Sequence, residues 1–190
     1  MGDIYKCVNA FSELLNVEYE FVLGRKGVSV SIKVGFDKKD CYHLMGLQYL
    51  TDRPELRRDR GKIFDAILSH EIDKQRVESS TFYNMINGRT NFLPYLEVIM
   101  DSNDTIFKYN AKMNNFSMIQ ADYILKNVIA KQGLFLFISK NKEDKYFCRS
   151  FFPQDKVDYT HNQALWKLLH KKKINLSNNT EIVLYDRLNK

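Results

Sequence analysis

The chain has few cysteines and no recognisable metal-binding motif. Its three cysteines, Cys7, Cys41 and Cys148, form no Cys-x-x-Cys pair, and an odd number of scattered thiols is typical of a reducing compartment. The histidines lack ligand spacing such as His-Glu-x-x-His. The sequence therefore predicts a cytoplasmic protein with no structural zinc site, no catalytic metal and no other cofactor.

Long apolar runs and flexible segments are also lacking. No apolar run approaches the roughly 18 residues of a transmembrane helix, and the first residues lack the basic-then-apolar order of a signal peptide. Only three prolines and eight glycines among 190 residues argue against a disordered or fibrous chain. With 44% hydrophobic residues the chain can bury one good core, so we expect a single domain over residues 1–190 and no membrane association.

Positive charge is concentrated near the C-terminus. Residues 140–190 contain eleven Lys and Arg against six Asp and Glu, whereas the whole chain has 29 against 23. A basic segment favours a polyanionic partner such as RNA, but the surplus is mild and many basic proteins bind no nucleic acid. The run Lys171-Lys172-Lys173 is a candidate for contact with a nucleic-acid backbone, or else a solvated face.

Hydrophobic periodicity changes from helical to strand-like along the chain. Apolar residues at helical spacing after Asp3 predict a first helix. The strand-like stretch Tyr19–Leu23 and the alternating stretch Val28–Val34, with a turn between them, predict a β-hairpin. Short helices are predicted from there to about residue 100. After residue 100 the pattern predicts mainly strands and hairpins, with Leu165–Ile174 compatible with either a helix or a strand. We therefore predict an α+β fold with a helical N-terminal part, about 1–100, packed on a mostly antiparallel sheet. That sheet has about four strands, formed largely by the C-terminal half.

One histidine has an unusual apolar setting. His43 lies in Tyr42-His43-Leu44-Met45-Gly46-Leu47, which reads as a short helix that presents a single imidazole. An imidazole in such a crowded place can act as the acid or base of a proton transfer near neutral pH. A core histidine that bonds only to the backbone fits the same residues.

Two further groups of residues combine polar and aromatic chemistry. Arg149 lies two residues from Phe147 and two from Phe151 along a predicted strand, so we expect the three side chains on one face of the sheet. This arrangement suits a phosphate clamp beside base-stacking rings, or an arginine at a sheet margin. The stretch Asp158–Gln163 gathers a carboxylate, a phenol, hydroxyl, imidazole and amide groups. Such a density is typical of a polar site and equally of a solvated loop.

The order of these motifs resembles a family of nucleases. The motif around His43 is followed far downstream by several further stretches: Phe151-Phe152, Asp158-Tyr159-Thr160, Asn162-Gln163, Trp166, Lys173-Ile174 and a last strand at Ile182–Tyr185. The combination is similar to a phage- and mobile-element-associated branch of the barnase–EndoU–colicin–RelE-like nuclease superfamily. The resemblance implies a helix packed on a four-stranded sheet and metal-independent cleavage of RNA.

The resemblance also implies roles for individual residues. His43 matches the histidine of the family's His-Leu-x-Gly-Leu stretch and would be the general acid or base. Arg149 and Ser150 match a polar pair on the sheet, and Tyr159 with Thr160 matches the Asp-Tyr-Thr stretch before the final hairpin. Met45 departs from the pattern, since a small polar residue is expected there.

Two hypotheses of function follow. In the first, the protein is a ribonuclease of toxin or phage-conflict type, with RNA as substrate and an antitoxin or host protein as a further partner. His43 would move the proton of the attacking 2′-hydroxyl, Arg149 and a lysine would stabilise charge at phosphorus, Tyr159 or Thr160 would orient the phosphate, and the product would be a cyclic phosphate. In the second, the chain is a non-catalytic basic binding module, an inhibitor or adaptor encoded by a mobile element. The first requires that His43 and Arg149 meet in one cleft.

Overall fold

The computed structural model describes residues 2–102, 105–114 and 117–189. Within these ranges the α-helices are α1 (Ile4–Ser12), α2 (Lys38–Met45), α3 (Arg60–Leu68), α4 (Lys74–Glu78), α5 (Asn84–Phe92) and α6 (Leu96–Asp101). The strands are β1 (Val17–Arg25), β2 (Val28–Gly35), β3 (Thr105–Lys108), β4 (Tyr123–Ile129), β5 (Gln132–Lys140), β6 (Tyr146–Pro153), β7 (Ala164–Asn175) and β8 (Thr180–Asp186). No helix in the described ranges is long and apolar enough to cross a membrane.

Seven of the strands form a closed sheet. The order is β1-β2-β6-β5-β4-β3-β7, and β7 returns to pair with β1, so the ring is complete. Strand β8 pairs with β7 as an additional strand. The neighbours are antiparallel except for the short parallel contact of β2 with β6. The predicted sheet of about four strands is therefore wrong, because the structure is a closed seven-stranded β-barrel with one more strand attached.

The closure depends on pairings between distant parts of the chain. Val17 lies opposite Asn175, and Val34 lies opposite Tyr146, so the N-terminal hairpin joins the C-terminal strands to complete the ring. A hydrophobic pattern reports the period of one segment and not its partner, so the hairpin was predicted but its place in the sheet was not. The ambiguous stretch Leu165–Ile174 is a strand and forms most of β7. Strand β7 pairs with β1 along one edge and with β3 and β8 along the other.

The helices and the sheet share one large core. The predicted first helix is confirmed: the Asp3 side chain accepts hydrogen bonds from the first turn of α1, whose apolar stripe is buried. In β5 the side chains alternate between two apolar clusters. Leu134, Leu136 and Ile138 join the large core, whereas Phe135 and Phe137 join a second cluster on the other face. Phe152 and Tyr159 pack on this second cluster, and an open cleft lies beside them.

Candidate functional site

A cleft of about 1000 Å³ lies between α2, α5 and β6. Four of the five predicted catalytic residues line it: His43 from α2, Arg149 and Ser150 from β6, and Tyr159 from the loop before β7. The condition stated for the ribonuclease hypothesis is thus met, since His43 and Arg149 share one cleft. Two further arginines, Arg60 and Arg89, also line it, although the sequence pattern assigned them no part.

Both ends of α2, the helix that carries His43, are capped. The Asp37 carboxylate accepts a hydrogen bond from the backbone N–H of Lys39 (3.0 Å), and the Asp40 carboxylate accepts one from the N–H of Asp37 (3.0 Å), which makes a capping box. The helix ends at Gly46, whose φ of 82° is left-handed. One face of α2 is buried in the core (Asp40, Cys41, Leu44, Met45), which leaves His43 half-buried at the wall of the cleft.

Gly46 also permits a close approach between elements. A Cβ atom at this position would lie 3.0 Å from Cδ of Arg89 and 3.2 Å from Cδ2 of Tyr49. Both the left-handed φ and the lack of space favour glycine here. The lack of a side chain at Gly46 thus lets Arg89 pack against the end of the helix that carries His43.

The charges around His43 disfavour its protonated form. Burial lowers the pKa of His43 below the ordinary value of 6.5, and the positive charges of Arg60 and Arg149 lower it further. A hydrogen bond with Gln48 acts in the opposite direction. The imidazole is consequently neutral at pH 7 and able to accept a proton.

Arg149 reaches the cleft because β6 is irregular at this residue. Phe137 lies opposite Ser150 and Ile138 lies opposite Cys148, so Arg149 is the extra residue of a β-bulge. The bulge interrupts the alternation of the strand. The predicted shared face of Arg149 and Phe151 is therefore wrong, since Phe151 is buried in the large core while Arg149 is exposed in the cleft.

Backbone carbonyls and aromatic rings hold Arg89 in the cleft. Its Nε donates a hydrogen bond to the carbonyl of Phe151 (3.0 Å), and its Cζ lies 5.0 Å from the ring centre of Tyr49 and 5.4 Å from that of Phe152. Burial lowers the pKa of the Arg89 guanidinium. Such contacts fix a cation in place while leaving part of its hydrogen-bonding capacity directed into the cleft.

The local sequence pattern does not indicate that Arg89 belongs to the candidate site. The pair Asn87-Gly88 is typical of a helix end, but α5 continues through Gly88 to Phe92. The glycine is needed for packing and not for termination, because a Cβ atom there would lie 2.9 Å from Cγ of Pro153 in β6. A glycine inside a helix that otherwise continues is the signal that could have indicated this contact.

The cleft is electropositive. Among the described residues, none of Arg60, Arg89 and Arg149 forms an ion pair with a carboxylate, whereas many lysines elsewhere in the fold do. The carboxylates that line the cleft are the exposed Asp155 and the buried Asp40, whose pKa burial raises to about 6. Three guanidinium groups facing so little negative charge make this cleft suited to an anion.

Thr160 lies outside the cleft and shapes the loop that carries Tyr159. Its N–H and Oγ1 donate hydrogen bonds to Oδ1 of Asp158 (2.9 and 2.6 Å), and the other oxygen of Asp158 accepts one from Lys126 (2.7 Å). The Tyr159 ring packs 5.2 Å from the ring of Phe152, and burial raises the pKa of Tyr159. The structure thus brings Tyr159, and not Thr160, to the site.

The predicted lysine run is remote from the cleft. Lys171 is only 1% exposed and donates hydrogen bonds to the carbonyls of Met100 (2.8 Å) and Ser102 near the end of α6. Lys172 and Lys173 form ion pairs with carboxylates of neighbouring elements: Glu20 and Glu181 for the first, Glu97 and Asp101 for the second. All three lysines therefore have partners within the fold, and their contact with a nucleic-acid backbone stays a prediction.

Besides the carboxylates of Asp40 and Asp155, the cleft presents an imidazole, guanidinium groups, phenols, hydroxyls and amides. In residues 2–102, 105–114 and 117–189 no set of three or more His, Cys, Asp or Glu side chains is arranged to hold a metal ion. Cys148, which also lines the cleft, is a buried thiol whose pKa is raised by burial, so it is a poor nucleophile.

Comparison with known proteins adds one finding to this geometry. The model of a family described as phage-Barnase-EndoU-ColicinE5/D-RelE like nuclease 4 matches residues 3–188. No curated protein and no solved structure matches the chain. The match extends over almost the whole sequence and includes every residue of the cleft.

Proposed function

The chain belongs to the phage-Barnase-EndoU-ColicinE5/D-RelE like nuclease 4 family, and from this premise we propose that it is a ribonuclease that cleaves RNA without a metal ion. The observation that supports the proposal most strongly is the setting of His43. A neutral imidazole lines one cleft together with the guanidinium groups of Arg60 and Arg149, which have no ion-pair partner within the described part of the chain. Cleavage of a phosphodiester needs a general base close to cations that bind the phosphate.

In the proposed reaction the nucleophile comes from the substrate. His43 accepts the proton of the RNA 2′-hydroxyl, and the 2′-oxygen then attacks the adjacent phosphorus. The bond from phosphorus to the 5′-oxygen breaks, and this leaving oxygen takes a proton from the imidazolium or from water. The products are a 2′,3′-cyclic phosphate and a free 5′-hydroxyl.

The arginines act on the charge that develops at phosphorus. As the 2′-oxygen bonds to phosphorus, negative charge on the phosphate oxygens increases, and a guanidinium can donate two parallel hydrogen bonds to them. Arg149 and Arg60 line the same cleft as His43, which supports this role. The Ser150 hydroxyl, which lines the same wall, adds a neutral donor.

Intrinsic features of the cleft support a substrate-derived nucleophile. The thiol of Cys148 is unsuitable because burial keeps it protonated. An RNA 2′-hydroxyl next to the phosphate supplies the attacking group without any contribution from the protein. This requirement distinguishes RNA from DNA, which lacks the group.

The test uses a short RNA and its matched analogue with a single 2′-deoxynucleotide at the cleavage position. We expect the protein to cleave the RNA in the presence of EDTA, to leave a 2′,3′-cyclic phosphate identified by mass spectrometry, and to leave the deoxy analogue intact. Cleavage of both substrates would contradict the 2′-hydroxyl mechanism. Activity that EDTA abolishes and magnesium restores would contradict metal independence.

A further inference from the structure

Of the described cations of the cleft, Arg89 is the one to which the proposed reaction gives no role. It lies among the rings of Tyr49 and Phe152, with its Cζ 5.0 and 5.4 Å from their centres. The arginines that act on His43 are Arg60 and Arg149. Arg89 is thus a further cation in the same cleft.

Arg89 has the features of a preorganised anion site. Two backbone carbonyls accept hydrogen bonds from it, that of Phe151 from Nε (3.0 Å) and that of Met85 from Nη1 (3.4 Å). The described residues offer it no carboxylate, so its positive charge is partly desolvated and uncompensated. Because the side chain is already fixed, an incoming anion loses little affinity to ordering it.

The rings beside Arg89 differ in their exposure. Phe152 is enclosed, since it stacks on Phe137 with ring centres 5.5 Å apart and planes at 28°, and its other neighbours are Tyr159 and the Arg89 guanidinium. Tyr49 has the Arg89 guanidinium over its ring but remains exposed to solvent. Of the described groups in this part of the cleft, Arg89 is the one whose positive charge suits an anion.

We propose that Arg89 binds a phosphate next to the scissile phosphate, so that the substrate is an RNA chain with at least two consecutive phosphates. The inference rests on the proposed function, which places the scissile phosphate between His43 and Arg149. A cleft of about 1000 Å³ is at the upper end of the sizes that enclose a drug-sized ligand, and it has room for more than one nucleotide. Arg89 makes the enzyme selective for internal positions of a chain.

The experiment compares three substrates that share one scissile bond. They are a ribodinucleoside monophosphate, the same molecule with an additional 5′-terminal phosphate, and the same molecule with an additional 3′-terminal phosphate. We expect one of the two additional phosphates to raise kcat/KM by about 10-fold, mainly through KM, because a charge-assisted hydrogen bond to a remote phosphate contributes uniform binding. The position of the favourable phosphate gives the direction of the chain in the cleft.

Three variants assign the effect to Arg89. Arg89→Gln should abolish the preference, measured as the ratio of kcat/KM with and without the additional phosphate, whereas Arg89→Lys should retain part of it. Arg57→Gln is the matched control, since Arg57 is exposed, donates to the carbonyl of Thr51 and lies outside the cleft. If Arg89→Gln does not fold, Arg89→Lys and the wild-type comparison still give an answer.

Binding of the 2′-deoxy forms of the three molecules separates this inference from the proposed function. These analogues cannot be cleaved by the proposed route, and we expect the same phosphate to raise their affinity about 10-fold in an Arg89-dependent manner. Equal affinity and equal kcat/KM for all three molecules would overturn the inference while leaving the ribonuclease intact. An Arg89-dependent preference in binding without any RNA cleavage would overturn the proposed function alone. Equal losses on all three substrates in a folded Arg89→Gln protein would also overturn the inference.

Discussion

At the scale of single residues, the chemistry of His43 depends on charges from other elements. Arg60 begins α3 and Arg149 occupies the bulge of β6, and both disfavour protonation of the imidazole. The same two guanidinium groups are those proposed to bind the phosphate. Binding of the phosphate would neutralise part of their charge, so the basicity of His43 should rise at the moment when it has to accept a proton.

The dependence on Arg60 leads to a pH prediction. Arg60→Gln removes a positive charge that disfavours the imidazolium, so the pKa of His43 should rise. NMR titration of the His43 ring should report this rise directly, and the acidic limb of the kcat/KM profile should move to higher pH, because a larger fraction of His43 is protonated at a given pH.

The matched control for Arg60 is Lys62→Gln, two residues further along α3 and exposed to solvent outside the cleft. Lys62→Gln should leave both the titration and the pH profile unchanged. A pKa of His43 that stays constant or falls in Arg60→Gln would refute the electrostatic account of this site.

Individual site residues were partly predictable from the sequence. His43, Arg149, Ser150 and Tyr159 come from distinctive local stretches, and all four line the cleft. Arg60 and Arg89 were missed because each lies on a helix whose own pattern indicates only an amphipathic surface. Their role follows from the tertiary position of those helices, which no local period encodes.

At the scale of elements, α2 combines a structural acid with the proposed base. Asp40 accepts the hydrogen bond from Asp37 that completes the capping box, and it is buried one turn before His43. Burial raises the pKa of Asp40 to about 6 from its ordinary 3.8. The folded state therefore binds a proton at Asp40 more tightly than the unfolded state does.

This raised pKa gives a prediction on stability. Between roughly pH 4 and pH 6 the native state holds more protons than the unfolded state, so the free energy of unfolding should decrease as pH rises through this window. Asp40→Asn retains an acceptor for the cap and cannot ionise, so it should remove this decrease and be more stable than wild type at neutral pH by roughly 2 kcal/mol. Urea unfolding at several pH values measures the difference.

Asp73→Asn is the control for Asp40, since asparagine caps a helix about as well as aspartate, and Asp73 caps α4 from an exposed position outside the cleft, away from the groups that act on Asp40. Its pH dependence should parallel that of wild type. If Asp40→Asn is less stable than wild type at neutral pH while retaining the fold, then the carboxylate contributes more to the cap than its burial costs.

The elements themselves were largely predictable, but their irregularities were not. The first helix, the β1–β2 hairpin and the β5–β6 hairpin follow from local periods. The bulge at Arg149 was not predicted, since one extra residue in a strand leaves the apolar pattern almost unchanged. Yet this bulge is what separates the directions of Arg149 and Phe151.

At the scale of the whole molecule, the location of free positive charge differs from that suggested by composition. The C-terminal segment holds most of the net charge, but several of its cations pair with carboxylates, such as Lys140 with Asp144 and Lys173 with Glu97. The guanidinium groups of the cleft, at positions 60, 89 and 149, form no ion pair with any carboxylate that the structure describes. Pairing of strands that are distant in sequence determines which charges are neutralised. Composition can therefore indicate an anionic partner, but it does not indicate where on the molecule that partner binds.

The sheet closure itself was beyond prediction from the sequence. A segment's own pattern indicates that it is a strand, while its neighbours are chosen by packing of the complete chain. Closing the ring brings the N-terminal hairpin to β6 and β7, and it leaves α2 and α5 beside β6, where the cleft forms. The site is therefore a product of the closed architecture.

The most direct test of the central claim is single-turnover cleavage of RNA in EDTA by His43→Ala. The account predicts a loss of about 100-fold or more, because a general base is removed, in a protein whose thermal unfolding matches wild type. His161→Ala, a change to an exposed histidine outside the cleft, should retain full activity. If His43→Ala does not fold, His43→Gln takes its place. A folded His43 variant that cleaves RNA as fast as wild type would contradict the account.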